Sequence, residues 1–186
     1  MKTFIVVSAV GRDRPGLVNK LSHEIKINGG NIELQRSAKM ADEFAIISLV
    51  SIEANTEKVN QFIRNLTSLG EENFFVYART ATTGLTERPA NTQPGEIIAE
   101  GADQMGIIDN LTLLLYQNDI NIESMEYDVK HAPMSGVPLF QMHAKIIVPE
   151  AVNIEQLKQD FRALENDLNI DILFRFPLQS STIIKD

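Results

Sequence analysis

Two short stretches hold residue types, at a spacing, that could bind a small charged molecule. One reads GRDRPGLV from Gly11 and the other reads GADQMGII from Gly101. In each, a glycine opens the stretch, an aspartate follows (Asp13, Asp103), and a second glycine (Gly16, Gly106) precedes two aliphatic residues, Leu17-Val18 or Ile107-Ile108, at the head of a helix-like pattern. The amides of a helix's first turn have no intrahelical acceptor, and the helix dipole adds partial positive charge, so such a turn attracts a carboxylate. A glycine beside it lets a ligand approach the main chain closely. Asp13 or Asp103 could meet an ammonium group, and Asn31 or Asn121, at the start of the adjacent strand, could supply a side-chain carbonyl or amide. A carboxylate and an ammonium on one small molecule describe an α-amino acid. The same residues also have a purely structural reading, with the aspartates as helix caps, the glycines as packing sites and the asparagines as turn caps.

The two stretches belong to a longer internal repeat. Gly11 to Glu33 and Gly101 to Glu123 align at a constant offset of 90 residues, with eight identical pairs in a window of 23. Elements follow in the same order in both copies. In the first, Thr3 to Val10 is β-rich, Leu17, Val18, Leu21 and Ile25 recur at helical spacing with Pro15 and Gly16 in the first turn, and Gly29-Gly30 stops the helix. Ile32, Leu34, Ala38 and Met40 then alternate with polar residues, and Ala41-Asp42 predicts a hairpin turn into Phe44 to Ser51. Val59, Phe62, Ile63 and Leu66 mark a second helix, and Phe74 to Tyr77 a last strand.

The second copy repeats this from Glu96, with a loop around His131 to Val137 holding Pro133 and Gly136, a helix from about Asn153 and a closing strand from Ile170 to Phe176. Its apolar residues after Ile122 (Met125, Tyr127, Val129) have the opposite parity from the first copy, which predicts a bulge near Glu123. The fold class expected is α+β, two ferredoxin-like βαββαβ units in tandem. Their expected limits are residues 1–80 and 96–177, joined by a linker at 81–95 rich in Thr, Pro, Gly and Asn and followed by a tail at 178–186.

Composition narrows the functions. The 186 residues are 44% hydrophobic, enough for a core in each copy, and 17 Lys+Arg against 25 Asp+Glu leave a net charge of -8 that disfavours a grip on nucleic-acid phosphates. The acidity is concentrated after Arg88, where 6 basic residues face 15 acidic ones. An RNA-recognition surface would need exposed aromatics in a basic strand motif, and Phe44 stands alone in DEFAIIS. The absence of cysteine removes thiol nucleophiles and Cys-ligated metals, and fits a reducing compartment. His23, His131 and His143 show no metal-ligand spacing, and no phosphate-binding glycine motif or nucleophile elbow occurs. No catalytic residue, metal or cofactor is expected. No apolar run reaches the ~20 residues of a membrane span, the opening residues read as a strand and not a signal peptide, and the cytoplasm is the expected location.

The stretch VSAVGRDRPGLVNKL, followed by GGNIELQRSAKMADEFAIISLVS, resembles the first ACT domain of the glycine cleavage system transcriptional repressor family, and MGIIDNLTLLLYQNDINIE with HAP and LFQMHAKI is similar to that family's second ACT domain. The resemblance spans roughly Lys2 to Phe176. It implies a non-catalytic protein of two ACT domains that senses an amino acid, glycine in the family, and represses through contact with a LysR-type transcriptional activator without binding DNA itself. Carried over by motif, the ligand-binding residues are Asp13, Arg14, Pro15, Gly16, Leu17 and Asn31, with Asp103, Gly106, Ile107 and Asn121 in the second copy. Gln104 and Met105 replace Arg and Pro there, so the first loop is expected to be the better amino-acid site. A constitutive interaction module, or a regulatory subunit of an amino-acid-metabolising enzyme, is the alternative. ACT domains pair their sheets side by side, so the copies are expected to associate and two chains to form a homodimer. The run Phe44 to Val50, apolar on both faces, suits a sheet covered on more than its helical side.

Overall fold

The computed structural model describes residues 2–82, 89–132 and 136–176. Pro133, the middle of the expected linker (83–88) and the expected tail lie outside the described residues. The chain divides into two compact units, Met1–Glu87 and Arg88–Asp186. The first contains β1 (Lys2–Arg12), α1 (Leu17–Ile27), β2 (Gly30–Met40), β3 (Glu43–Glu53), α2 (Thr56–Thr67) and β4 (Phe74–Thr80). The second contains β5 (Thr92–Ala102), α3 (Ile107–Gln117), β6 (Asn121–His131), β7 (Pro138–Pro149), α4 (Ile154–Leu168) and β8 (Ile170–Arg175). Both are βαββαβ units with antiparallel sheets, ordered β2-β3-β1-β4 and β6-β7-β5-β8. The expected α+β tandem is what forms.

Each helix is held by one apolar stripe. In α1, Leu17, Leu21 and Ile25 are buried one turn apart, and in α2 Val59, Phe62 and Leu66 are buried likewise, against Ile5, Val7 and Ala9 of the sheet. Burial of this kind is worth roughly 1.5–3 kcal/mol for each large side chain, and it fixes where α1 begins. Asn55 and Asn153 cap α2 and α4, accepting from the amides of Lys58 and Gln156.

Several details depart from the sequence expectation. Strand β5 begins at Thr92, inside the stretch expected as linker, because Gln93 and Gly95 pair with Val148 and Ile146 of β7. Gly16 is not within the helix's first turn but is the N-cap, with φ 96°, and Pro15 precedes it. A Pro-Gly pair with glycine near (+80°, 0°) makes a type II turn, which the chain needs in order to swing from β1 onto the helix. The bulge expected at Glu123 is present, with a register shift between Ile122 and Ser124, but the same shift occurs between Ile32 and Leu34. Both copies therefore bulge at the N-I-E motif. In the first unit Ile32 stays on the core side, while Leu34, Ala38 and Met40 turn to the face away from the helices, which overturns the single alternating face expected.

Candidate functional site

The loop after β1 is set by two contacts. Gly11 ends the strand against the residues before β4, so close that a Cβ would lie 2.2 Å from the Asn73 carbonyl oxygen, and the Arg12 amide donates to that carbonyl at 3.0 Å. The Asp13 amide then donates to the Asp42 carbonyl in the β2–β3 turn at 2.7 Å. Beyond Gly16 the chain enters α1 with no side-chain cap. The Lys20 amide is the first to find a helical acceptor, on Gly16, so among the described residues the amides of Leu17, Val18 and Asn19 are open. They border a surface concavity of about 460 Å³ that Asp13, Arg14, Gly16 and Phe44 also line.

Charge around this mouth is arranged in pairs. Lys39, near the end of β2, donates to Asp13 at 2.6 Å. Arg14 donates to Glu71 at 2.7 Å, and Lys20 donates to the same carboxylate. The hydrogen bonds from Lys20 and then Arg14 hold the Glu71 carboxyl below its ordinary range. Of these cations Arg14 lines the concavity, Lys39 meets it through one Asp13 oxygen, and Lys20 is paired with Glu71.

The second loop has the same backbone and different chemistry. Gly106 is again the N-cap, with φ 93°, and α3 again lacks a side-chain cap. Gln104 turns away to donate to the Leu168 carbonyl at the end of α4, and Met105 is fully exposed. Asn110, at the position of Lys20, donates back to the Gly106 carbonyl at 2.8 Å. The Tyr127 hydroxyl donates to Asp103 at 2.7 Å, and this bond raises the tyrosine pKa, with burial adding to it. No cation pairs with Asp103 among the described residues.

The structure separates the expected site residues into three groups. Asp13, Arg14 and Gly16 come together at the first mouth, with exposed Pro15 beside them. The side chains of Leu17 and Ile107 are buried in the cores, so only their amides face a ligand. Asn31 and Asn121 are not in either mouth. Strand β2 is separated from β1 by β3, and Asn31 pairs with Ser51 while Met40, at the loop end, pairs with Glu43. Nine residues at ~3.3 Å each put Asn31 roughly 30 Å from the loop end of its own unit. Asn121, opposite Ile147, is placed likewise. The aspartates are not helix caps, since Lys39 and Tyr127 hold them instead. Lys20, Lys39, Glu71 and Tyr127 were missed by sequence reasoning. Lys20 was legible as the residue one turn into α1, whereas the others reach the mouth only through strand pairing.

His23, His131 and His143 lie apart on α1, β6 and β7, and among the described residues no three metal-ligating side chains converge. No helix among them is long and apolar enough to cross a membrane.

Residues 3–73, which take in β1, the mouth that follows it and the β2–β3 hairpin, match the family model described as the ACT domain. The chain is a tandem of two βαββαβ units, the first of which carries that match. It is similar, over 170 residues at 28% identity, to the glycine cleavage system transcriptional repressor of Escherichia coli strain K12, covering 89% of this chain and 86% of that protein. The repressor of the same description from Shigella flexneri matches to the same extent. Among solved structures, an unknown protein from Galdieria sulphuraria superposes with a TM-score of 0.78 at 26% identity, over 94% of this chain and 98% of its own. A candidate glycine cleavage system transcriptional repressor superposes with a TM-score of 0.66 at 22% identity, over 94% and 97%, a likeness that speaks for the fold alone.

Proposed function

We propose that this chain is a non-catalytic regulatory protein that binds a small amino acid, glycine foremost, at the mouth of its first unit and reports occupancy to a protein partner. The similarity to transcriptional repressors supports a regulatory role. On this reading the chain lowers transcription of glycine cleavage genes through a LysR-type activator, as a cytoplasmic homodimer, without itself touching nucleic acid. The observation that carries the ligand reading is the first mouth itself, where open amides of Leu17 to Asn19 border a concavity that the Asp13 carboxylate and the Arg14 guanidinium also line. A carboxylate on the amides exchanges water for fixed donors, and an ammonium against Asp13 completes the pair. The second loop, with no such cations, is the weaker site.

Five non-hydrogen atoms at a ceiling of about -1.5 kcal/mol each limit glycine to a dissociation constant no tighter than roughly micromolar. Titration calorimetry with glycine, serine and alanine therefore spans micromolar to millimolar ligand. Heat with a stoichiometry of one per chain, abolished by Gly16→Glu, is expected. No heat with any amino acid, or unchanged affinity in Gly16→Glu, refutes the reading.

A further inference from the structure

The first sheet carries an apolar surface on the face away from its helices. Strand pairing sets this face in rows that run β2, β3, β1, β4: Leu34, Leu49, Val6, Arg79; then Arg36, Ile47, Ser8, Tyr77; then Ala38, Ala45, Val10, Phe75; and last Met40, Glu43, Arg12. Phe75 is 68% exposed, Tyr77 60%, Leu34 57% and Ile47 52%. Charge enters only at the edges and the loop end. The same face of the second sheet is different in kind, with Glu96 held between His143 at 2.6 Å and Arg175 at 2.9 Å, and Glu126 and Lys145 beside them. Both sheets bulge at the same place, so the contrast comes from where the apolar residues fall after it: Leu34, Ala38 and Met40 take the outward positions of β2, whereas those of β6 are Ser124, Glu126, Asp128 and Lys130, and Met125, Tyr127 and Val129 pair with buried Ala144, Met142 and Phe140 on the core side.

The exposed fractions of Val10, Leu34, Met40, Ile47, Phe75 and Tyr77 amount to on the order of 700 Å² of whole-residue area, main chain included. That exceeds the ~300–600 Å² of the largest patch on a typical monomer and approaches the ~800 Å² each partner gives to a stable interface.

We propose that this face is the homodimer interface, two copies of the chain stacking first sheet on first sheet about a twofold axis that runs along the strands between them. Such an axis lays β4 of one copy over β2 of the other and β1 over β3, and it keeps every row in place. Phe75 then lies over Ala38 of the second copy, Val10 over Ala45, and Ile47 over Ser8, so bulky side chains meet small ones across a gap of about 10 Å. Tyr77 lies over Arg36, a ring on a guanidinium, and Arg12 over Glu43. Each contact occurs twice, as an isologous interface requires. An in-plane axis perpendicular to the strands would instead crowd Phe75 against Tyr77 and set Leu49 over Glu43. The inference takes from the proposed function only the homodimer, and does not depend on the amino-acid ligand.

Sedimentation equilibrium of the full chain over the micromolar range, without ligand, tests the stacking. A mass of two chains is expected, and Phe75→Glu should weaken the dimer ~100-fold, as loss of an aromatic anchor does, with the circular dichroism of the folded chain retained. The chain has no cysteine, so single cysteines report the axis. Facing sheets ~10 Å apart are too far for a disulfide, so an equimolar mixture of Val10→Cys and Ala45→Cys chains should be joined into a heterodimer by a short bis-maleimide, faster than either variant alone. A monomeric wild-type chain overturns the proposal, as does a dimer indifferent to Phe75→Glu. A dimer broken by Phe75→Glu that yields no mixed cross-link overturns the axis. None of these readouts needs an amino acid, so a failure of ligand binding is seen separately.

Discussion

The ammonium of Lys39 lies 2.6 Å from Asp13 Oδ2, joining the far end of β2 to the loop that follows β1. In the second unit the corresponding aspartate, Asp103, is held at 2.7 Å by the Tyr127 hydroxyl, from a strand position two residues short of the Lys39 equivalent. Both loops are pinned through their aspartate, one by a cation and one by a neutral donor. Arg14 and Lys20 have no cationic counterpart at the second loop, where Gln104 and Asn110 stand, so the two loops share open amides and differ in their charged side chains.

Arg14→Gln converts the first mouth toward the second. If Arg14 contributes a charge-assisted hydrogen bond to a bound carboxylate, glycine affinity measured by calorimetry should fall about tenfold or more. Gln104→Ala, at the matching position of the second loop, should leave it unchanged. Equal effects of the two substitutions would place the ligand elsewhere.

Two glycines in one loop should differ in cost for different reasons. At Gly16 a Cβ would meet nothing within 4 Å, so Gly16→Ala carries only the strain of a left-handed backbone, about 1–2 kcal/mol. At Gly11 a Cβ would overlap backbone of Asn73 and Phe74, and neither can step aside without opening the β1–β4 pairing. Gly11→Ala should cost ~3 kcal/mol or more, in the range of overpacking and broken pairing. Denaturant melts of the two variants give the order, and Gly16→Ala as the worse variant would contradict it.

The carboxyl of Glu33, at the bulge, is lowered from its ordinary 4.5 to about 2, first by the hydroxyl of Ser51 at 2.6 Å and then by Lys2 at 2.9 Å. A folded pKa below the unfolded one means the stabilisation is present above the ordinary value and is lost as pH falls from about 4.5 toward about 2. Ser51→Ala removes the first donor and should move the Glu33 midpoint upward, narrowing that window. Carboxyl carbon shifts followed through an acid titration by NMR report it directly, and an unmoved midpoint would deny the bond its role.

Tyr127 should ionise above the usual tyrosine range because Asp103 accepts its proton-bearing hydroxyl. Asp103→Asn replaces a charged acceptor with a neutral one and should bring the Tyr127 titration back toward 10, its ordinary value. Stabilisation from this bond is present below that value and is lost as pH rises through the shifted one. Ultraviolet difference titration, with Tyr127→Phe to assign the signal, measures it.

Much of the organisation was legible in residues alone. The 90-residue repeat, the stripes at Leu17, Leu21 and Ile25 and at Val59, Phe62 and Leu66, and the βαββαβ order all follow from periodicity, which local backbone geometry enforces. The bulge at Glu123 showed itself because Met125, Tyr127 and Val129 broke parity, whereas its twin at Glu33 was hidden by Leu34, Ala38 and Met40, apolar residues that alternate smoothly yet sit outside. Apolar character alone cannot tell a core face from an interface face.

The mouth was legible in part for a similar reason. Asp13, Arg14 and Gly16 are neighbours in the chain, and their closeness needed no fold to predict. Asn31, although only a helix away in sequence, was carried by the β2-β3-β1 order to the opposite end of the sheet, and Lys39 and Glu71 were brought in from 26 and 57 residues away. Sequence by itself determined the order of strands and helices and the helical stripes, because these depend on contacts a few residues apart, whereas the early start of β5 at Thr92 came from its pairing with β7. Only the tertiary structure decided which charges meet at the mouth, and which face of the first sheet is left apolar, because both depend on strand order and on the register set by one extra residue.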